Sequence, residues 1–128
     1  MLQVDKFSRI PIYEQIVAQL ERQISLGVFA PEAPLPTVRS LSMSLGVNPN
    51  TLQKAYTELE RRGMCVSVPG SGRYVAKNAR ALLLLRSREK KEEFKSTAIE
   101  LMEAGMGKEE LHAAVDEAYE QKLSGGNA

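Results

Sequence analysis

Aromatic residues, cysteine and histidine are scarce in this sequence. Of its 128 residues none is Trp, three are Phe and four are Tyr, and Cys65 and His112 are the single cysteine and the single histidine. A lone cysteine excludes an intrachain disulfide, and a lone histidine with no cysteine at ligand spacing argues against a zinc site. We therefore expect Cys65 to pack as a small apolar residue, His112 to lie on the surface, and no metal or other cofactor to be bound.

Long hydrophobic runs and catalytic motifs are also missing. The run Leu82–Leu85 is far shorter than the ~20 apolar residues that cross a bilayer, and residues 1–6 lack the pattern of a signal peptide. No glycine-rich phosphate loop or Ser/His/Asp set is present, and one histidine does not easily supply both a general acid and a general base. We expect a cytoplasmic protein that is not an enzyme.

The small net charge of +1 hides an uneven distribution. Residues 1–80 carry ten Lys and Arg against six Asp and Glu, a net of +4, whereas residues 81–128 carry seven against ten, a net of −3. Such an asymmetry indicates two functional parts, of which the first faces an anion.

One helix and a rigid loop are predicted near the N-terminus. Pro11 favours the first turn of a helix, and apolar residues then recur at helical spacing as far as Gly27. The three prolines within residues 28–36 exclude a regular helix there. Because few aromatics are available, the core should consist mostly of aliphatic side chains.

Two further helices are predicted with a short turn between them. Thr37 is a suitable cap for a helix that ends at Gly46. Asn48 is a suitable cap for the next helix, which begins at Pro49 and ends at Gly63. Two helices so closely spaced form a helix-turn-helix.

A β-hairpin should follow these helices. The runs Cys65–Val68 and Arg73–Ala76 favour strands, and Pro69–Gly72 between them favours a turn. Three helices followed by a hairpin indicate a winged helix-turn-helix over residues 1–78. The predicted fold class is therefore mainly α with a small β-hairpin.

Residues 79–128 have a different character. A long helix is predicted from Ala79 to Gly105, with a charged and solvated middle over Arg86–Glu93, and a second amphipathic helix follows. Residues 124–127 should fray. Two such helices joined by a glycine turn make a C-terminal helical hairpin.

This hairpin is expected to be a dimerisation element. A helical hairpin of about 40 residues buries too little surface to be stable alone, so its apolar stripes require a partner. A second copy of the chain is the simplest partner, because twofold dimers are the commonest soluble assemblies. The residues expected at the interface are Leu84, Leu85, Phe94, Ala98, Leu101, Met102, Leu111, Val115, Ala118 and Tyr119.

The second helix of a helix-turn-helix enters the major groove of double-stranded DNA and presents its first turns to the base edges. Here those turns carry Asn50, Thr51, Gln53 and Lys54. Asn and Gln bind adenine at two points, Thr uses its hydroxyl or methyl group, and Lys reaches guanine or a phosphate. The alternative is that they are ordinary polar residues on a solvated helix face.

Residues at the other helix starts are candidate phosphate contacts. Arg39 could reach a base or a phosphate; the alternative is a surface arginine that the helix dipole mildly disfavours. Thr37 and Asn48 stand at helix N-termini, which are natural anion sites.

The hairpin tip is the last candidate. Gly70, Ser71, Gly72 and Arg73 combine a conformationally free turn with a cation, which would suit a phosphate ridge or the minor groove. The alternative is that the turn alone requires the glycines.

Five segments, in order and at matching spacing over residues 11–76, carry a resemblance to a known family. The chain resembles the GntR family of bacterial transcriptional regulators, and specifically its small YtrA-like branch. The segments are Pro11–Ile16, Leu35–Leu41, Leu45–Tyr56, Leu59–Glu60 and Gly70–Val75.

The resemblance implies DNA contacts at Arg39, at the helix start Asn48–Lys54 and at the wing glycines. Many relatives have arginines where this chain has Pro49 and Gln53, so arginine-to-guanine readout is not implied at these two positions. The tail resembles the YtrA-type dimerisation element, and about 50 residues leave no room for a metabolite-binding or an aminotransferase-like domain. No effector site follows from the residues.

We therefore expect a homodimeric, sequence-specific DNA-binding transcriptional repressor that occupies an inverted-repeat operator. The YtrA-like branch is often encoded beside transport genes that it represses, which implies a transporter operon. The alternative is a winged-helix adaptor that binds other proteins and not DNA.

Overall fold

The structure is a computed structural model that describes residues 2–124. It divides into two compact units, Met1–Arg86 and Ser87–Ala128. The predicted fraying of residues 124–127 falls, after Ser124, outside the described residues. The elements in chain order are α1 (Ile12–Ser25), α2 (Val38–Leu45), α3 (Pro49–Arg61), β1 (Cys65–Val68), β2 (Gly72–Val75), α4 (Ala79–Glu103) and α5 (Lys108–Ser124).

Local capping fixes the helix-turn-helix, as the sequence predicts. The Thr37 hydroxyl oxygen accepts a hydrogen bond from the Ser40 backbone N–H at 3.0 Å, and the Asn48 side chain accepts one from the Asn50 N–H at 2.8 Å. Gly46 ends α2 with φ of 63°, a left-handed conformation that strains other residues. The sharp turn that this glycine allows brings α3 back against α1.

The core of the first unit is mainly aliphatic, as expected. Ile16 and Leu20 of α1 and Leu52 and Leu59 of α3 are completely buried. Cys65 packs among them, and burial raises the pKa of its thiol to about 11, so it behaves as a small apolar residue.

The wing is a two-stranded antiparallel hairpin in which Cys65 pairs with Val75 and Val68 with Gly72. β2 begins and ends one residue earlier than predicted. The proline-rich loop lies along its free edge, where the Leu35 N–H donates to the Arg73 carbonyl and the Val75 N–H donates to the Ala33 carbonyl, both at 2.9 Å. This loop therefore satisfies backbone groups that an edge strand would expose.

The first unit continues into α4. Ala79 and Leu83 are buried in its core, at 1% and 8% exposure. The structure consequently divides after Arg86, whereas the sequence pattern places the start of the tail at Ala79.

A buried carboxylate of the first unit joins α1 to the residue that follows α3 and to α4. The side chain of Glu21 on α1 is 8% exposed and accepts hydrogen bonds from the guanidinium groups of Arg62 at 3.2 Å and Arg86 at 2.6 Å. Arg86 is therefore not part of the solvated stretch in which the sequence pattern placed it, because a buried carboxylate needs charged partners.

Glu58 should make stability depend on pH in the acidic range. It accepts hydrogen bonds from the Nε atoms of Arg61 at 2.8 Å and Arg62 at 2.7 Å, and these lower the pKa of its carboxyl from 4.5 to about 2. A folded-state pKa below the unfolded one stabilises the fold fully above about pH 4.5, and this contribution is lost as the pH falls towards 2. Urea denaturation between pH 6 and pH 3 should show a decline in the wild type that is shallower in Glu58→Gln. Parallel curves for the two proteins would contradict this role.

The second unit is a helical hairpin formed by the later turns of α4 and by α5. No side chain described between residues 87 and 123 is fully buried. In the part of the chain that the structure describes, no helix is long and apolar enough to pass through a bilayer.

Candidate nucleic-acid interface

α3 has one buried face and one polar face. Leu52, Ala55, Tyr56 and Leu59 are buried, as predicted. The candidate base-reading residues of its first turns lie on the other side, where Asn50, Gln53 and Lys54 are exposed and Thr51 is half-buried. Carboxamides, a hydroxyl and an ammonium group are thus available to a ligand at the start of this helix.

Lys54 is held in place by an aromatic ring, which the sequence did not indicate. Its Nζ lies 4.0 Å from the centre of the Tyr13 ring on α1. The ring face attracts the cation. Burial and the neighbouring Glu14 carboxylate raise the pKa of Tyr13, so its hydroxyl stays neutral. α1 therefore positions one of the cations of α3.

The candidate phosphate contacts at the helix starts differ in how free they are. Arg39 is exposed on the first turn of α2. The side-chain oxygens of Thr37 and Asn48 already accept capping hydrogen bonds. The Thr37 hydroxyl proton and the Asn48 side-chain NH₂ remain available as hydrogen-bond donors. Phosphate oxygens accept hydrogen bonds, so these donors suit a phosphate ligand.

The wing tip exposes Gly70, Ser71 and Gly72. Both glycines have positive φ, 75° and 128°, so the tight turn depends on them. The Ser71 hydroxyl is hydrogen-bonded to the Tyr74 hydroxyl, which ties the tip to β2. The tip is therefore a narrow, small-residue surface that can approach another backbone closely.

Arg73 lies on β2 directly after the wing tip, opposite Ser67, but its side chain packs against α3. Its side chain is 21% exposed; its guanidinium carbon lies 5.2 Å from the centre of the Tyr56 ring and its Nε lies 3.7 Å from Glu60 Oε1. Glu60 also accepts a hydrogen bond from the Ser67 hydroxyl at 2.6 Å. The pair thus fixes the wing against α3, and nothing in the local sequence marks Glu60 for this role.

Tyr56 connects the site to the proline-rich loop. Its hydroxyl donates to the Pro36 carbonyl oxygen at 2.5 Å, and burial raises its pKa well above the usual value. Because Pro36 directly precedes the cap of α2, this hydrogen bond helps to set where Arg39 lies relative to α3.

The described residues hold no cluster of His, Cys, Asp and Glu side chains able to bind a metal. His112 is exposed on α5, as expected.

The second unit carries an open apolar groove between the end of α4 and α5. Its volume is about 1060 Å³. Eight of the ten residues predicted at a dimer interface line it, whereas Leu84 and Leu85 belong to the first unit and are each 55% exposed. Those lining residues are Phe94, Ala98, Leu101, Met102, Leu111, Val115, Ala118 and Tyr119.

Comparison with known proteins shows where this architecture recurs. The model of the gntR family of bacterial regulatory proteins matches residues 12–75. The transcriptional repressor YtrA of Bacillus subtilis is 39% identical over 118 residues, which cover 91% of each chain.

Two groups of solved structures resemble the fold. A GntR family transcriptional regulator from Listeria monocytogenes has a TM-score of 0.67 and 33% identity, with 88% of this chain and 97% of that chain covered. The DNA-binding domain of AraR, solved in complex with an operator, has a TM-score of 0.52 and 30% identity over 57% of this chain and 88% of that one.

Proposed function

Since this chain belongs to the gntR family of bacterial regulatory proteins, whose model covers its winged helix-turn-helix, we propose that it represses transcription by binding an inverted-repeat operator as a homodimer. It is a sequence-specific DNA-binding transcriptional regulator. The observation that carries the proposal is the polar face of α3, on which Asn50, Gln53 and Lys54 are exposed while the opposite face is buried. In a twofold dimer the two α3 helices would enter major grooves about 34 to 36 Å apart.

The apolar groove of the second unit supports the dimer. The eight side chains that line it include Phe94, Met102 and Tyr119, which are each more than half exposed. Covering them with the same groove of a second copy would remove this apolar surface from water without another kind of protein.

Repression is supported by the similarity to the B. subtilis repressor YtrA along nearly the whole chain. We propose that the bound dimer blocks polymerase on the promoter, that a transporter operon is its target, and that the protein works without catalysis in the cytoplasm, where its DNA lies. In vitro transcription from the cognate promoter should fall as protein is added. A rise in transcript yield would contradict repression.

Arg39→Ala and Lys54→Ala test whether the proposed surface binds DNA. The probe is a duplex selected by the wild-type protein from a random pool, and binding is measured by fluorescence anisotropy over a series of salt concentrations. Wild-type affinity should fall steeply with salt. Each variant should bind more weakly, and its salt slope should be smaller by about one for every phosphate that the missing side chain would have neutralised.

Lys90→Ala and Lys91→Ala form the matched control, because they remove the same charge from exposed positions of the second unit. We expect wild-type affinity and slope for both. Unchanged binding in the Arg39 and Lys54 variants, with no fall of wild-type affinity as salt rises, would favour an adaptor that binds other proteins.

A further inference from the structure

The N-terminal arm, residues 3–10, is fixed to α1 by two glutamine side chains. The Gln19 side chain accepts from the Gln3 N–H at 2.8 Å and donates to the Gln3 carbonyl. Gln15 does the same for Asp5, at 2.8 and 2.9 Å. The side-chain amides thus replace the neighbouring strand that an extended backbone would need, which gives the arm a defined path along the helix.

The end of the arm is a closed turn that displays an aromatic ring. The Asp5 carboxylate accepts from the Phe7 N–H at 2.9 Å, and the Ser8 hydroxyl accepts from the Ile10 N–H at 3.1 Å. Gln15 also donates to the Ile10 carbonyl at 2.8 Å. Phe7 at the middle of this turn is 99% exposed. A large apolar ring held out on a hydrogen-bonded loop indicates a surface that contacts something else.

Two contacts place the arm beside the start of α3. Lys6 Nζ donates to the carbonyl oxygen of Gly46 at 3.4 Å, in the turn between α2 and α3. Tyr13, just after the arm, lies under the ammonium group of Lys54. Arg9 is exposed and, among the described residues, has no ion pair or side-chain hydrogen bond. The arm therefore brings Lys6 to the neighbourhood of the recognition helix and carries a second exposed cation, Arg9, three residues further along, whereas its Asp5 is occupied by the loop's own backbone.

We propose that this arm is a second DNA-contacting element, in which Lys6 and Arg9 bind backbone phosphates beside the major groove read by α3 and Phe7 packs against the adjoining sugars. The proposal rests on the proposed function, since it extends the same DNA surface. Arms with cations accompany other helix-turn-helix domains on DNA, and phosphate contacts supply much of the affinity. A preformed arm loses little conformational entropy on binding.

The test uses the full chain and the duplex selected by the wild-type protein. The double variant Lys6→Ala/Arg9→Ala should bind about tenfold more weakly, and its slope of log affinity against log salt should be smaller by about one for each phosphate that is no longer neutralised. Lys6→Arg/Arg9→Lys should restore both quantities. Phe7→Ala should weaken binding while leaving the salt slope unchanged, because the ring carries no charge.

Thermal unfolding of each variant checks that the first unit remains folded, which the exposure of all three side chains leads us to expect. Wild-type affinity and slope in the double variant would overturn the proposal while leaving the proposed function intact. A change of sedimentation mass in Phe7→Ala, with DNA binding of the double variant unaltered, would assign the arm to a protein interface. A wild-type protein that enriches no duplex would overturn the proposed function and this inference together.

Discussion

Leu111→Asp is expected to leave the protein monomeric and to lower its affinity for the selected operator duplex by about 100-fold or more. Leu111 is half-buried among the side chains that line the groove of the second unit. A carboxylate introduced there would have to be buried without a partner on dimerisation, which is costly. Two linked winged domains bind an operator far more tightly than one. Loss of the dimer is therefore the change with the largest effect on how fully the operator is occupied. Sedimentation velocity measures the mass of the protein in solution, and fluorescence anisotropy measures its affinity for the duplex.

Gln121→Asp is the matched control, since it places the same charge on an exposed position of α5 away from the groove. We expect it to remain dimeric. Thermal unfolding of the first unit should be unchanged in Leu111→Asp, because the core of this unit has no member in α5. Persistent dimers would place the interface elsewhere, and Leu84→Asp would then test the exposed leucines of the first unit. A monomer with wild-type affinity would show that the second winged domain of a dimer adds nothing to the affinity for DNA.

The elements of the winged domain were predictable because their signals are local. Thr37 and Asn48 cap the helices that follow them, and Gly46 is suited to the left-handed turn between those helices. Each of these effects acts over three or four residues, so the order of residues in the chain is sufficient to infer it. The bounds of β2 differ by one residue because strand ends depend on pairing partners, here Val68 and Cys65 of β1, which pair with Gly72 and Val75.

Contacts between distant positions were not predictable. Glu21, Arg62 and Arg86 meet only after three helices have packed, and the Glu60–Arg73 pair forms only once the wing folds against α3. A charged residue in an isolated stretch of sequence has the same appearance whether it is solvated or buried in such a pair. This is why Arg73 was predicted at a phosphate-facing tip although its guanidinium packs over Tyr56.

These pairings also change the meaning of the net charge of residues 1–80. Arg61, Arg62 and Arg73 lie within 4 Å of carboxylates of their own unit, so they contribute little to an external field. The +4 is therefore an imperfect guide to the number of DNA contacts. The exposed cations without such a pairing are better candidates, and two of them, Lys6 and Arg9, lie in an arm that the sequence pattern did not single out.

Asn50→Ala/Gln53→Ala is expected to abolish most of the sequence preference while preserving general affinity for DNA. Both carboxamides are exposed on the first turns of α3. A bidentate contact between a carboxamide and a base discriminates by about 1 to 3 kcal/mol, and a dimer makes each contact twice. The ratio of affinities for the selected duplex and a scrambled duplex of equal composition should therefore fall by about 100-fold or more. The salt slope should not change, because neither residue is charged.

The comparison of two duplexes separates base reading from phosphate binding, which a single affinity does not. Gln121→Ala removes a carboxamide from an exposed position of the second unit and should leave the ratio unaltered. A second selection with the double variant should enrich a less defined half-site, since two of the side chains that distinguish one base pair from another would be missing from the groove while Thr51 and Lys54 remain. An equal loss on both duplexes would instead mean that Asn50 and Gln53 support the backbone contacts. Specificity would then have to come from Arg39, Lys54 or the shape of the DNA.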